Sequence, residues 1–150
     1  MQLTHFTDLG LRVLMYLSHP VRDTPVTISE IAERFDVSRH HLVKVVHFMG
    51  QQGWLITTRG KGGGLALAFG LKHYRLGQVV RVLEGQSDMI DCADPPCAIR
   101  GRCQLKHLLD GASEAFFTAL DRHTLADAVA APTGEAIISL HALHARRDHL

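Results

Sequence analysis

Only three cysteines occur in 150 residues, and no apolar run approaches the roughly 20 residues that cross a bilayer as a helix. So few thiols cannot build a disulfide framework, and a chain of this length needs none, since folding buries roughly two-thirds of its extended surface. The opening Met-Gln-Leu-Thr-His-Phe-Thr-Asp lacks the basic stretch and apolar core of a secretory signal. Internal repeats and low-complexity tracts are also missing. The formal net charge is only +1, with 21% charged and 46% apolar residues, ordinary for a globular protein. These absences exclude a helical membrane protein and a disulfide-rich secreted module. A single cytoplasmic domain with no membrane partner is expected.

What is present is unevenly distributed. Residues 1–33 carry Arg12 and Arg22 against Asp8, Asp23, Glu30 and Glu33, a net of −2. Residues 34–81 carry eight bases against Asp36 alone, a net of +7, and residues 82–150 carry six bases against ten acids, a net of −4. A basic middle between acidic ends is the charge pattern of a nucleic-acid reader within a protein that has a second task.

Thr4 can cap a helix over about residues 5–18, because Phe6, Leu9, Val13, Tyr16 and Leu17 recur at three-to-four spacing. Pro20 and Pro25 bracket a turn. Thr27-Ile-Ser-Glu30 reads as a capping box, hydroxyl and carboxylate each satisfying a free amide, and opens a short helix through Phe35. After the tight link Asp36-Val37, Ser38 caps a helix from Arg39 to about residue 52, with Leu42, Val45, Val46 and Met49 inside and Gly53 as its stop. Two short helices joined in this way predict a helix-turn-helix whose second helix enters the major groove. Ser38, Arg39, His40, His41 and Lys44 belong to its leading turns.

Residues 54–59 and 65–68 flank Gly60-Lys61-Gly62-Gly63-Gly64, which predicts a two-stranded hairpin with a flexible basic tip, a wing. Glycine-rich loops also cradle nucleotides, but no Gly-Lys-Ser/Thr follows and the dinucleotide spacing is not met. Arg59, Lys61 and the open amide of Gly62 suit a DNA backbone or minor groove instead. A short helix is expected over residues 76–84. From residue 104 to 120, Leu105, Leu108, Leu109, Ala112, Ala115, Phe116, Ala119 and Leu120 make a broad helical stripe, suited to packing on its own domain or on a second copy. A further short helix is expected over about residues 125–131. Beyond Pro132 the tail could be helical or frayed, and His141, His144 and His149 are expected to be solvated. The fold class is mainly α, a winged helix-turn-helix with a two-stranded wing and a long C-terminal helix suited to dimerisation.

The cysteines stand together as Cys92, Cys97 and Cys103, in a segment that Pro95-Pro96 keeps out of helix. Four readings compete. Buried structural thiols suit apolar cores, whereas Asp91, Asp94, Arg100 and Arg102 make this stretch polar. Zinc would take three thiolates and one histidine, and His107 lies one turn after Cys103. A metal-free thiol switch would use Arg100 and Arg102 to favour a thiolate. An iron-sulfur cluster suits thiolates spaced along a pliable loop and tolerates a non-cysteine fourth ligand. An enzyme built on such a cluster would lack a second domain for a substrate pocket and would leave residues 27–68 without a purpose.

Leu3-Thr-x-Phe-Thr-Asp-x-Gly-Leu-Arg12, Val37-Ser-Arg-x-His-x-Val-Lys44, Arg59-Gly-Lys-x-Gly-Gly64, Val80-Arg-x-Leu-Glu84, the three cysteines and Cys103-x-Leu-Lys106 belong together in one pattern. Over about residues 2–131 the chain resembles the NsrR type of nitric-oxide-sensing repressor, within the iron-sulfur winged-helix regulator family that also includes IscR. The resemblance implies a homodimer in which Cys92, Cys97 and Cys103 hold an iron-sulfur cluster, four-iron (4Fe-4S) favoured over two-iron (2Fe-2S). It further implies a fourth ligand from the first helix of the other subunit, a position occupied here by Asp8. From the residues alone, Asp8 and Arg12 are one turn apart and could form an ordinary exposed pair. The implied function is a repressor that binds a palindromic double-stranded operator and releases it when nitric oxide nitrosylates the cluster. IscR-like regulators place a histidine three residues after the third cysteine; here that residue is Lys106, and His107 comes one later. An IscR-like redox regulator and a zinc-stabilised winged-helix protein without gas sensing are the alternatives. The implied organisation is a DNA-binding region over residues 1–84, a cluster loop over 85–103, dimerisation helices over 104–131 and a tail over 132–150.

Overall fold

The structure, a computed structural model, describes residues 2–85 and 88–147. Helix α1, His5–Leu17, begins at Thr4, whose Oγ accepts a hydrogen bond from the Thr7 amide at 3.3 Å. Its buried side, Leu9, Val13, Leu14, Tyr16 and Leu17, forms the middle of the core. Helix α2, Ile28–Phe35, and helix α3, Arg39–Gln51, are joined through Asp36 in the left-handed region at φ 50°. That short turn makes the helix-turn-helix. Leu42, Val45, Val46 and Met49 turn α3 inward, and Gly53 at φ 74° turns the chain away from it.

Strands β1, Leu55–Thr57, and β2, Leu65–Leu67, pair antiparallel with Leu55 opposite Leu67 and Thr57 opposite Leu65. Leu65 also donates its amide to Val26 at 2.8 Å, tying the wing to the segment before α2. Helix α4, Leu76–Glu84, runs back against α1, and Glu84 accepts from the amide and hydroxyl of Thr4, both at 2.8 Å. Helix α5, Gln104–Leu120, lies on α4 through Gly77. A Cβ at that position would fall 2.3 Å from the Phe117 carbonyl oxygen, so the close approach requires glycine. No residue of α5 is buried in the single chain, and Leu105 and Leu108 are 57% and 70% exposed. The apolar stripe therefore touches its own domain along one side only. Helix α6, Leu125–Ala128, is shorter than expected at its C-terminal end, and its capping box is made by Thr124 and Asp127.

Of the two forms expected for the tail, the structure shows the helical one, as α7, Thr133–Arg147, which packs against α1 and α2. Two other expectations need correction. His141 is not solvated but buried at 1% exposure, and His144 is half-buried, while His149 lies outside the described residues. The capping box of α2 is only half made. Thr27 Oγ accepts from the Glu30 amide at 3.2 Å, but the Glu30 carboxylate turns inward to Tyr16 and Arg22. A buried phenol and guanidinium hold a carboxylate more strongly than one exposed amide does.

Candidate nucleic-acid interface and cysteine loop

Ser38 caps α3 by accepting from the His41 amide at 3.4 Å, which fixes the start of the helix. Ser38, Arg39, His40, His41 and Lys44 are all exposed, as are Arg59, Lys61 and Gly62 of the wing. Gly60 and Gly62 take φ of 91° and 80° in a turn closed by the Gly63 amide on the Gly60 carbonyl, so the glycines serve the turn as well as opening its amides. The basic side chains of α3 fall on two faces. Arg39, with its Nε donating to Ser29 Oγ at 2.9 Å, borders a groove of about 610 Å³ between α3 and the wing, shared with Arg59 and Gly60. His41 and Lys44 border a smaller hollow of about 150 Å³ against His5, Phe6 and Leu9 of α1.

Sequence reasoning missed several residues of the larger groove. Ser29, Val43, His47, Thr57 and Thr58 all line it. The signal was available, since Arg39, Val43 and His47 follow one another at four-residue spacing and must share a face. Val43 is 38% exposed, an apolar side chain on a basic surface, of the kind that meets a thymine methyl.

The cysteine loop is a series of turns. The Cys97 amide donates to the Cys92 carbonyl at 3.2 Å, and the Arg100 amide donates to the Cys97 carbonyl at 3.1 Å. Asp91 Oδ1 accepts from the amides of Ala93 and Asp94 at 2.7 and 3.2 Å, and these bonds hold its carboxyl below the usual carboxylate range. All three thiols are free. Cys92 and Cys103 are half-buried and share a cavity of about 280 Å³ with Asp88, Asp91, Arg100 and Lys106, whereas Cys97 is exposed and does not line it. His107 does not line this cavity. Among the described residues, no three of His, Cys, Asp and Glu come close enough to hold a metal ion within one chain.

The donor chemistry nonetheless fits an anionic thiolate-held group, because two thiols open on one cavity and Arg100 and Lys106 bring positive charge to its wall. Lys106 is itself anchored by Asp110 at 2.6 Å and Asp88 at 3.2 Å, the first of which does most to raise its pKa. Asp8 sits apart on α1, paired with Arg12 Nε at 3.0 Å and 4.0 Å from His5 Nδ1, its side chain 42% exposed.

Comparison with known proteins agrees with this arrangement. A model of the Rrf2 family, described as an iron-dependent transcriptional regulator, matches residues 3–131. The HTH-type transcriptional repressor NsrR of Streptomyces coelicolor is 43% identical over 143 residues, covering 93% of this chain and 96% of that protein. Among solved structures, the global cysteine regulator CymR of B. subtilis has a TM-score of 0.67 at 23% identity, over 85% of this chain and 95% of its own. T. potens IscR gives 0.67 at 23% over 86% of each chain. At such identities the two structures establish the fold, a winged helix-turn-helix with a long helix behind it. No described helix is long and apolar enough to cross a membrane. The chain belongs to the Rrf2 family of transcription regulators, which are not enzymes.

Proposed function

We propose that this chain is a repressor of the NsrR type, a homodimer that binds a palindromic operator and releases it in response to nitric oxide. The observation that carries this reading is the joining, on one small chain, of an exposed basic α3–wing face to a loop of three free thiols. Cys92, Cys97 and Cys103 would hold an iron-sulfur cluster, with Asp8 of the other subunit as fourth ligand. Such a cluster, when bound, supplies an iron reactive towards nitric oxide. Cys97 must swing in from its exposed turn to join the other two thiols.

The remainder is the work of the chain's own residues. Arg39 and His40 reach base edges, with Val43 beside them, while Lys44, Arg59 and Lys61 neutralise phosphates. Six to ten such contacts per dimer make binding steeply salt-dependent. The exposed side of α5, with Leu105 and Leu108, supplies apolar surface for a second copy, and two-fold symmetry then spaces the half-sites by about one helical turn. Glu84 links the start of α1 to the end of α4, so a displacement at Asp8 is carried into the helix against which α3 packs. That linkage gives the two forms unequal affinity for DNA, which any effector must exploit.

Arg39→Ala should weaken operator binding by about 1–3 kcal/mol, roughly 5-fold to 150-fold, and relax preference at one base pair per half-site. Lys61→Ala should instead weaken binding to all sequences and lower the salt slope by about one ion per subunit. Fluorescence anisotropy on matched and substituted operators at several salt concentrations reads both; equal loss on every sequence for Arg39→Ala would remove it from base reading. Asp8→Ala should keep much of the iron while its operator affinity changes little on nitric oxide treatment, where that of the natural chain falls to the level of unrelated DNA, a loss of about a thousandfold or more. A variant that binds and responds like the natural chain would end the bridging role of Asp8.

A further inference from the structure

Helix α7 lies beyond the residues matched by the family model, and its polar contacts run to the helix-turn-helix. His141 is stacked on the Tyr16 ring of α1, centroids 4.0 Å apart and planes 24° apart. His141 Nε2 lies 2.9 Å from the Tyr16 carbonyl oxygen, which can only accept, so Nε2 carries a proton. His141 Nδ1 lies 3.4 Å from Arg22 Nη1, which can only donate, so Nδ1 is bare. The two partners together select one neutral tautomer. We propose that α7 is a strap that positions the helix-turn-helix, latched by the neutral ring of His141 between Tyr16 and Arg22 and released when that ring is protonated.

The groups around the ring come from every neighbouring element. Tyr16 of α1 donates its hydroxyl to Glu30 Oε1 of α2 at 2.5 Å, and Arg22, from the segment between them, pairs with Glu30 Oε2. From α7 itself, His144 Nε2 lies 3.5 Å from Glu30 Oε2, and Arg147 pairs with Glu33 of α2. Glu30 Oε1 is 3.9 Å from His141 Nδ1, too far for a hydrogen bond and already occupied by Tyr16. Protonation at Nδ1 therefore sets an N–H against the N–H of Arg22, and among the described residues the carboxylate beside it, Glu30, stands beyond hydrogen-bond reach. Burial pushes the pKa of His141 down and the bond to Tyr16 opposes it; of the nearby charges Arg22 and His144 add to the lowering and Glu30 opposes it, and the net direction is down.

The strap reaches the DNA face through one residue. Glu30 follows Ser29, whose Oγ accepts from Arg39 Nε at 2.9 Å, so the helix held by α7 also aims the leading arginine of α3. The sign of the pH effect follows. A histidine lowered in the docked state costs nothing above its ordinary value of about 6.5, and docking weakens as pH falls through that value because the released ring takes up a proton first. Glu30, lowered in the folded chain, loses its contribution only in the more acidic carboxylate range.

Hydrogen exchange of the full chain, corrected for intrinsic rates, tests the latch. In the natural chain the opening constant of residues 136–145 should rise about tenfold per pH unit below about pH 6.5. In His141→Gln, whose amide can donate to Tyr16 and accept from Arg22, it should stay flat. A flat natural chain, or a parallel rise in both, overturns the proposal. Ring-nitrogen chemical shifts in the unsubstituted protein provide a test independent of any variant: Nε2–H alone at neutral pH is expected, and a ring already protonated there overturns it.

The effect on DNA rests on the operator-binding reading. The ratio of natural to His141→Gln operator dissociation constants cancels the recognition-helix histidines and should rise several-fold over the same pH fall; a constant ratio alongside a released α7 refutes positioning. Loss of operator binding by both chains at every pH would overturn the DNA reading itself, and the exchange measurement would still judge the latch.

Discussion

Replacing any one of Cys92, Cys97 and Cys103 by serine should leave a folded chain that retains little iron and binds its operator no better than unrelated DNA, a loss of about a thousandfold or more. The fold should survive because these thiols lie on a loop of turns outside the hydrophobic core, two half-buried and one exposed. The operator should be lost because α3 is held through α1 and α4, and the loop that follows α4 is then untethered. Circular dichroism, iron content and anisotropy on the same samples separate these statements. A metal-free thiol switch would give the opposite result at one point, full operator binding by a reduced serine variant.

Glu30→Ala should be the most destabilising single change near the DNA face. Its side chain is 1% exposed and its partner Arg22 17%, so removal leaves a largely buried guanidinium without its carboxylate and takes away the acceptor of the Tyr16 hydroxyl. A loss of about 3 kcal/mol is expected, the low end for a buried pair because Arg22 keeps some contact with water, or roughly 6–12 °C in the unfolding midpoint. Arg147→Ala, which breaks the exposed pair with Glu33, should move the midpoint by less than about 2 °C. Burial alone would raise the Glu30 carboxyl, but hydrogen bonds from Arg22 and Tyr16 outweigh it and hold the pKa below the usual range. Its contribution is thus present above about pH 4.5 and lost as pH falls through the lowered value, which a thermal melt series in acid would show. Equal midpoints for the two variants would mean the inward turn of Glu30 carries no weight.

The same glutamate shows where the sequence was legible and where it was not. Thr4, Ser38 and Gly53 are local signals acting on adjacent backbone, and the helices begin and end within a residue or two of where those signals place them. Thr27-x-x-Glu30 is local as well, but the outcome was decided by Tyr16 and Arg22, 14 and 8 residues away in the chain. His141 is a longer case, since its partner Tyr16 is 125 residues earlier and no period in the tail announces it. The stripe on α5 was legible as apolar, but its pattern did not tell how much of it the chain itself covers: α5 lies on α4, yet none of its residues is buried in the single chain. The cysteine loop was legible as a donor set by residue type, whereas the exposure of Cys97 beside two half-buried thiols depends on turns that residue type does not announce.

The most direct test is a paired measurement on anaerobically purified protein, in which iron, acid-labile sulfide and operator affinity are read before and after a nitric oxide titration. Iron with matching sulfide and tight operator binding are expected before, with affinity falling to the level of unrelated DNA after. Zinc without sulfide, or operator affinity indifferent to nitric oxide, would contradict the proposal that the three-cysteine loop governs DNA binding through an iron-sulfur cluster.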